Sequence, residues 1–276
     1  MKEVTVAIIG CGRIAEHHCR SMLRIPSIRL VAVCDLIEYK AKKISRSYNV
    51  PWYVNYRKML KDNPDINTVA IITPSGMHYE HSIEMLRDYK KNIIVEKPTF
   101  MNPDELNLAY MEADKNNLKI FPVFQNRYNK AVSFVKESII NRDLGDIRTI
   151  SVRAQWCRTQ DYYELAPWRG TFSHDGGALA NQGIHHVDLL RYFGGEVDKV
   201  NCIMRTLGVD VEVEDTIVST CAYDNSSVAT LEVTTAARPE NFEASITIVG
   251  SKGLARLGGI AANKLQIFTP NPLACE

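Results

Sequence analysis

Apolar residues run almost unbroken through 4–9 and return in short runs at 30–34, 67–72, 92–95 and 118–123, with helical patterns between them at 14–23, 39–48, 79–87 and 103–116. A parallel strand buried on both faces reads as such a run, and strands alternating with helices predict a parallel, doubly wound sheet. After residue 122 the period changes. A helix is predicted over 131–140, and then Ile150, Val152, Ala154 and Trp156 alternate with Ser151, Arg153 and Gln155, the pattern of a strand with one face inward and one polar. Similar strands are drawn at 197–205, 216–222, 228–234 and 244–249, and the run Asp224-Asn225-Ser226-Ser227 marks a hairpin. The expected fold class is therefore α/β throughout: a doubly wound domain over 1–122, then a second α/β domain over 123–276 built on an open, mostly antiparallel sheet.

The 276 residues suffice for two modest domains. A net charge of +1 and a pI near 7.6 give no electrostatic argument for nucleic acid or membrane. Seven cysteines, irregularly spaced and without a C-x-x-C pair, fit a reducing compartment and argue against a zinc site. The first strand begins at once, without the regions of a signal peptide, and eighteen apolar residues never run together, so a cytoplasmic location is expected.

Candidate chemistry begins at Gly10-Cys11-Gly12-Arg13-Ile14-Ala15, a G-x-G-x-x-A turn between a strand and a helix. Gly10 permits the tight turn, Gly12 lets the backbone approach a pyrophosphate, and Ala15 lets helix meet strand. Gly10, Gly12, Arg13 and Ile14 are thus candidate cofactor contacts, with backbone N–H groups holding the phosphates. The next strand ends at Asp35, where a carboxylate accepts hydrogen bonds from ribose hydroxyls or caps the following helix. A carboxylate there repels a 2′-phosphate, and neither Cys34 nor Leu36 offsets it, so NAD is favoured over NADP. Ligands of such sheets bind beyond the strands' carboxyl ends, which singles out Thr73, Pro74 and His78 in one loop and Glu96 and Lys97, before Pro98, in another. Lys97 at a strand end suits a substrate hydroxyl and its developing alkoxide; on composition alone it is one more solvated cation. His17 and His18, adjacent within the first helix, are read as surface or packing residues.

The run from Gly176 to Leu190 reads as a helix after a glycine turn, with Asn181, His185 and Asp188 on one face at i, i+4 and i+7. His185 is the natural general base; its alternatives are a core histidine, or a metal pair with His186. Before it lies a long aromatic and cationic loop over 158–170, in which Arg158, Tyr163, Trp168 and Arg169 either line a substrate site or pack on one another. His174 and Asp175 border it with the same ambiguity.

In this order, the 10–15 turn, Asp35, Thr73-Pro74-Ser75-Gly76-Met77-His78, Glu96-Lys97-Pro98 and the 176–190 helix resemble the motifs of the glucose-fructose oxidoreductase / inositol dehydrogenase / MocA family, over essentially the whole chain. The resemblance implies a Rossmann domain followed by an α/β domain whose sheet binds substrate and mediates oligomer contacts, in a homo-oligomer such as a dimer or tetramer. It also implies hydride transfer between a sugar hydroxyl and NAD without a metal, with Lys97 matching the lysine of the family's E-K-P motif and His185 its catalytic histidine. The proline of that motif is commonly cis. Many members carry an aspartate four residues before the histidine; this chain has Asn181, which cannot take a proton and is expected to hydrogen-bond the sugar. Arg127 and Tyr128 are further substrate candidates.

Tyr162-Tyr163, Trp168-Arg169-Gly170-Thr171 and the run 175–185 look like a bacterial subgroup acting on nucleotide sugars, similar to UDP-N-acetylglucosaminuronate 3-dehydrogenases of surface-polysaccharide pathways. The alternatives are a dehydrogenase of free sugars or inositols, and a non-catalytic NAD-dependent sensor on the same fold. Family members usually continue past the point where Asn271-Pro272-Leu273-Ala274-Cys275-Glu276 ends this chain, so a C-terminally truncated second domain is expected.

Overall fold

The computed structural model describes residues 3–270; the terminal run Asn271 to Glu276, which carries the expectation of truncation, lies outside the described residues. The chain divides into two compact units, with the boundary between Val123 and Phe124.

In the first unit, β1 (Val4–Ile9) is followed by α1 (Ala15–Leu23), β2 (Ile28–Cys34), α2 (Glu38–Tyr48), β3 (Trp52–Tyr53), α3 (Tyr56–Asp62), β4 (Thr68–Ile71), α4 (His78–Arg87), β5 (Asn92–Val95), α5 (Pro103–Lys115) and β6 (Ile120–Pro122). The strands are parallel, in the order β3-β2-β1-β4-β5-β6. Successive side chains of β1 go to opposite cores. Val6 and Ile8 pack with Ala15, Cys19 and Met22 of α1, whereas Ala7 and Ile9 pack with Met85 and Leu86 of α4. Two covered faces are why the strand has no polar alternation. The order reverses between β1 and β4, and the crevice of such a sheet lies beyond the strand ends at that point. The hydrophobic pattern did not reveal β3 or α3. With seven residues, of which only Met59 and Leu60 are buried, α3 is too short to show a period; it is started by Asn55, whose side chain accepts from the Lys58 N–H.

The second unit contains α6 (Lys130–Ile140), β7 (Ile147–Gln155), α7 (Gln160–Glu164), α8 (Ile184–Gly194), β8 (Val197–Arg205), β9 (Thr216–Tyr223), β10 (Val228–Thr234), β11 (Glu243–Gly250), β12 (Gly253–Gly258) and β13 (Lys264–Pro270). Its sheet runs β13-β12-β11-β7-β10-β9-β8; β10 is parallel to β7 and every other neighbouring pair is antiparallel. The expected hairpin forms at Asp224-Asn225-Ser226-Ser227, with Ser226 at φ 68°. On the inner face, Ile150 and Val152 of β7, Leu231 of β10 and Ile246 of β11 pack with Val135 of α6 and Leu189 and Phe193 of α8. Helices therefore cover one side of the sheet.

One expectation needs correction. The run after the glycine turn is not a single α-helix: Ala178–Gly183 is a π turn, and α-helix begins only at Ile184. Glu214 explains the entry, because its carbonyl accepts from the Ala178 N–H at 3.0 Å and its carboxylate accepts from the Leu179 N–H at 3.0 Å. Gly177, at φ 94°, lies where a side chain would strike that carboxylate. Asn181 therefore sits in the wider π turn, while His185 and Asp188 stand on α8 itself.

Candidate active site

At the end of β1 the backbone turns at Gly10 with φ 99°, and a Cβ there would lie 2.5 Å from the Ile72 carbonyl oxygen. Only glycine lets the ends of β1 and β4 approach so closely. Gly12 differs: a Cβ would meet nothing within 4 Å, so its missing side chain leaves open space on the turn. Arg13 and Ile14 are exposed beside it, and α1 starts without a side-chain cap. An uncapped helix N-terminus after a glycine-cleared turn fits a dinucleotide pyrophosphate.

Asp35 braces both this turn and the approach to α2, whose N-cap residue is Ile37. One carboxylate oxygen accepts from the Cys11 N–H at 2.7 Å, the other from the Ile37 N–H at 2.8 Å. Each oxygen has a second lone pair for a ribose hydroxyl. The bond to the Ile37 N–H lies just ahead of α2, so the side chain does not cap that helix.

The Thr73–His78 and Glu96–Pro98 loops are joined by His78, which is buried. Its Nδ1 lies 2.8 Å from the Pro98 carbonyl and its Nε2 2.9 Å from the Thr73 carbonyl. Burial pushes its pKa down, against the opposing effect of those carbonyls. With both ring nitrogens within hydrogen-bond distance of backbone carbonyls, His78 staples the two loops together. Thr73 and Pro74 are half-buried beside it, and Thr73 Oγ1 lies 3.2 Å from His81 Nδ1.

Glu96 is likewise occupied. His18, read from sequence as packing or surface, places Nε2 2.7 Å from Glu96 Oε1, while Glu96 Oε2 accepts from the Lys97 N–H at 3.0 Å. Burial pushes the Glu96 carboxyl up, but the His18 hydrogen bond and charge and the Lys97 contacts outweigh it and hold the carboxyl below its ordinary range. Glu96 thus ties α1 to the half-buried Lys97, and the Lys97–Pro98 peptide is cis.

In the second unit, His185 and Asn181 are both buried. Gln125 approaches His185 with 3.1 Å between its amide nitrogen and Nε2, and the Phe124 ring stands edge-on to the imidazole. If the amide donates, the single lone pair of Nε2 is its acceptor, and Gln125 fixes the orientation of the ring. Sequence reading missed Gln125, since no local pattern links it to a histidine sixty positions on.

His186 turns away into the core. Its ring packs edge-on to Trp156, and burial pushes its pKa down to about 4. Among the described residues no three or more His, Cys, Asp or Glu side chains are grouped to hold a metal ion.

Two substrate candidates have partners within the chain. Arg127 donates to both oxygens of Asp188, at 2.8 and 2.5 Å, and lies over the Tyr192 ring. A carboxylate only 8% exposed requires a cation, so Arg127 pins the segment carrying Gln125 against α8. Tyr163 is buried, with its hydroxyl 3.0 Å from Thr235 Oγ1, and anchors the loop. Tyr128 is 85% exposed.

In the aromatic loop, the guanidinium carbons of Arg158 and Arg169 lie 5.3 and 4.4 Å from the Tyr162 ring centre, and Arg169 also covers Trp168. Arg158 bonds to Asn241, Gln182 and the Cys157 carbonyl, and Arg169 donates to the Tyr162 hydroxyl. The loop packs on its own aromatics, yet among the described residues neither guanidinium has a carboxylate partner.

Residues 4–124 match the oxidoreductase family with NAD-binding Rossmann fold, and residues 132–256 match the GFO/IDH/MocA C-terminal domain. Among solved structures, the WlbA dehydrogenase of Chromobacterium violaceum, in complex with NADH and UDP-GlcNAcA, is 33% identical with a TM-score of 0.94, over 99% of this chain and 79% of that one. The WlbA dehydrogenase of Bordetella pertussis, in complex with the same two ligands, is 30% identical with a TM-score of 0.93, over 98% of this chain and 84% of that one. The NAD-dependent scyllo-inositol 2-dehydrogenase of Bacillus subtilis is 24% identical over 97% of this chain and 77% of its own length. The two matched domains cover most of the chain, and it belongs to the GFO/IDH/MocA family of NAD-binding oxidoreductases.

Proposed function

We propose that this enzyme oxidises a CH–OH group of a nucleotide sugar. The observation that carries the substrate class is the pair of guanidiniums, Arg158 and Arg169, stacked on Tyr162 without carboxylate partners among the described residues. Two such cations with planar donor forks suit a diphosphate or uronate, and a free inositol has no use for them. The likeness to dehydrogenases crystallised with UDP-GlcNAcA supports the same class.

In this reading the Gly10–Ile14 turn and the N-terminus of α1 hold the pyrophosphate of NAD, and Asp35 holds the adenosine ribose. Bound NAD+ supplies the acceptor for the hydride that leaves the substrate carbon. Lys97 holds the reacting oxygen and stabilises the negative charge developing on it. His185 takes the hydroxyl proton, a contribution of about a hundredfold to ten-thousandfold. Glu96 and His78 fix the loop that carries Lys97, and Gln125 orients His185.

The test is the appearance of NADH absorbance on mixing the protein and NAD+ with UDP-sugars, UDP-uronates, free sugars and inositols. Turnover of a UDP-sugar or UDP-uronate, lost at least tenfold in kcat/KM in Arg158→Ala or Arg169→Ala, is expected. Turnover of free sugars alone, unaffected by those replacements, overturns the substrate class. Tight NAD binding with no turnover of any compound points to the sensor.

A cytoplasmic homo-oligomer belongs to the same reading. Burial pushes the Cys11 and Cys34 thiols up to about 12, as for apolar residues in a reducing compartment. On the outer face of the second sheet Ile203 and Val218 pair in register and are exposed, suiting contact with a second copy. Among the described residues no helix is long and apolar enough to cross a membrane.

A further inference from the structure

The position four residues before His185 holds Asn181, and the structure puts a carboxylate directly behind it. Asp175 is 3% exposed. One of its oxygens accepts from the Asn181 side-chain amide, and the other accepts from the Gly170 N–H at 2.8 Å. Gly170 follows Arg169 in the chain, so this single side chain links the π turn to the arginine-bearing loop. The link has a chemical consequence. A carboxylate accepts and cannot donate, so only the NH2 end of the amide can face it, and the rotamer of Asn181 is thereby fixed. Its Oδ1 then contributes acceptance alone to any contact it makes.

We propose that Asp175 is a positioning residue for the dehydrogenase reaction, fixing Asn181 as a hydrogen-bond acceptor for a substrate hydroxyl and holding the Arg169 loop in register with it. The inference rests on the proposed function, together with the expectation from the family resemblance that Asn181 hydrogen-bonds the sugar. It also accounts for the missing aspartate: the negative charge stands one hydrogen bond further back, and the amide relays its orientation without titrating. A substrate hydroxyl at Asn181 donates its hydrogen, which selects for a free hydroxyl and against an ether or acyl group at that sugar position.

Reciprocal replacement tests the pairing. Asp175→Asn sets two amides against each other, and Asn181→Asp sets two carboxylates together out of solvent, where like charges destabilise the pair. Each single variant is expected to lose at least thirtyfold in kcat/KM for the nucleotide sugar, mainly in KM for Asp175→Asn, with NADH affinity by fluorescence titration unchanged. The double variant Asp175→Asn/Asn181→Asp restores one amide facing one carboxylate, and the oxygen of the introduced amide can still accept from the Gly170 N–H. It is expected to recover at least tenfold over either single variant. Losses that multiply in the double variant overturn the pairing. Thermal melts of the same four proteins keep the test independent of substrate: if the wild type turns over no nucleotide sugar, the functional reading has failed, and non-additive shifts in Tm still decide whether the pair exists. Additive Tm shifts reject it whatever the substrate.

Discussion

Gly10 and Gly12 sit two residues apart in one turn, and replacing each with alanine should give opposite outcomes. At Gly10 an alanine meets two penalties. A φ of 99° lies in the left-handed region, which costs an L-residue about 1–2 kcal/mol. Its Cβ would also lie 2.5 Å from the Ile72 oxygen, 2.6 Å from the Ile72 carbon and 2.9 Å from the Thr73 nitrogen, all backbone atoms that cannot swing aside. Overpacking of this kind costs roughly 1–3 kcal/mol more. The sum, about 2–5 kcal/mol, corresponds to a drop in Tm of roughly 5–15 °C for Gly10→Ala. At Gly12 φ lies outside that region and the space is open, so Gly12→Ala should melt within about 0.5 kcal/mol of the wild type. The new methyl instead occupies the cradle where the pyrophosphate approaches, and NADH affinity should fall at least about tenfold, or about 1.4 kcal/mol. Differential scanning fluorimetry without cofactor and NADH fluorescence titration read the two effects separately. A Gly10→Ala protein as stable as the wild type, or a Gly12→Ala protein that binds NADH normally, would refute the assignment of one glycine to folding and the other to ligand.

Three further outcomes are expected. Lys97→Met should abolish turnover in the NADH absorbance assay while leaving NADH affinity nearly intact; unchanged turnover removes Lys97 from the mechanism. The Glu96 carboxyl is held below its ordinary range when folded, so its stabilisation is complete above the unfolded value and is lost as pH falls through the folded one. His18→Phe removes the chief lowering influence and leaves burial, so the acid limb of unfolding, followed by circular dichroism over about pH 3–6, should move to higher pH; an unmoved limb rejects the coupling. Asp188→Asn leaves Arg127 without its carboxylate and should cost about 1–2 kcal/mol in thermal melts, the value for a buried pair being reduced because Arg127 is 40% exposed. It should also lower kcat more than it raises KM, since Arg127 positions the segment that bears Gln125.

The parallel domain was legible because its determinants are local. β1 announces itself by unbroken apolar residues, the turn by its glycines, and Asp35 by its place after β2. In β7 the alternation of Ile150, Val152 and Ala154 gives the buried face in the same way. Features created by distant residues were not legible. Nothing in Ala178 to Gly183 distinguishes a π turn from an α-helix; the difference arises where Glu214, far along the chain, takes the Ala178 and Leu179 N–H groups. His18 looked like packing because its partner Glu96 lies 78 positions away. The pairing of Arg127 with Asp188 was invisible because the two lie 61 positions apart. In each case residue type indicated the chemistry available, and the partner decided whether it was spent on substrate or on scaffold.

The place of β7 in its sheet bears on how the second unit is made. Its two neighbours are β10 and β11, which begin at Val228 and Glu243, so a nine-residue strand that ends at Gln155 acquires both partners only after more than seventy further residues have been synthesised. Until then its N–H and C=O groups are unsatisfied along both edges, and its apolar face lacks the strands that complete the core. A nascent chain in that interval offers a ready template for pairing with another copy of itself. The α8 segment bearing His185 lies inside the same interval, so the proposed base acquires its final surroundings only when the sheet closes. Ribosome-bound or truncated chains ending before β10 should therefore depend on chaperones far more than chains that extend through β11.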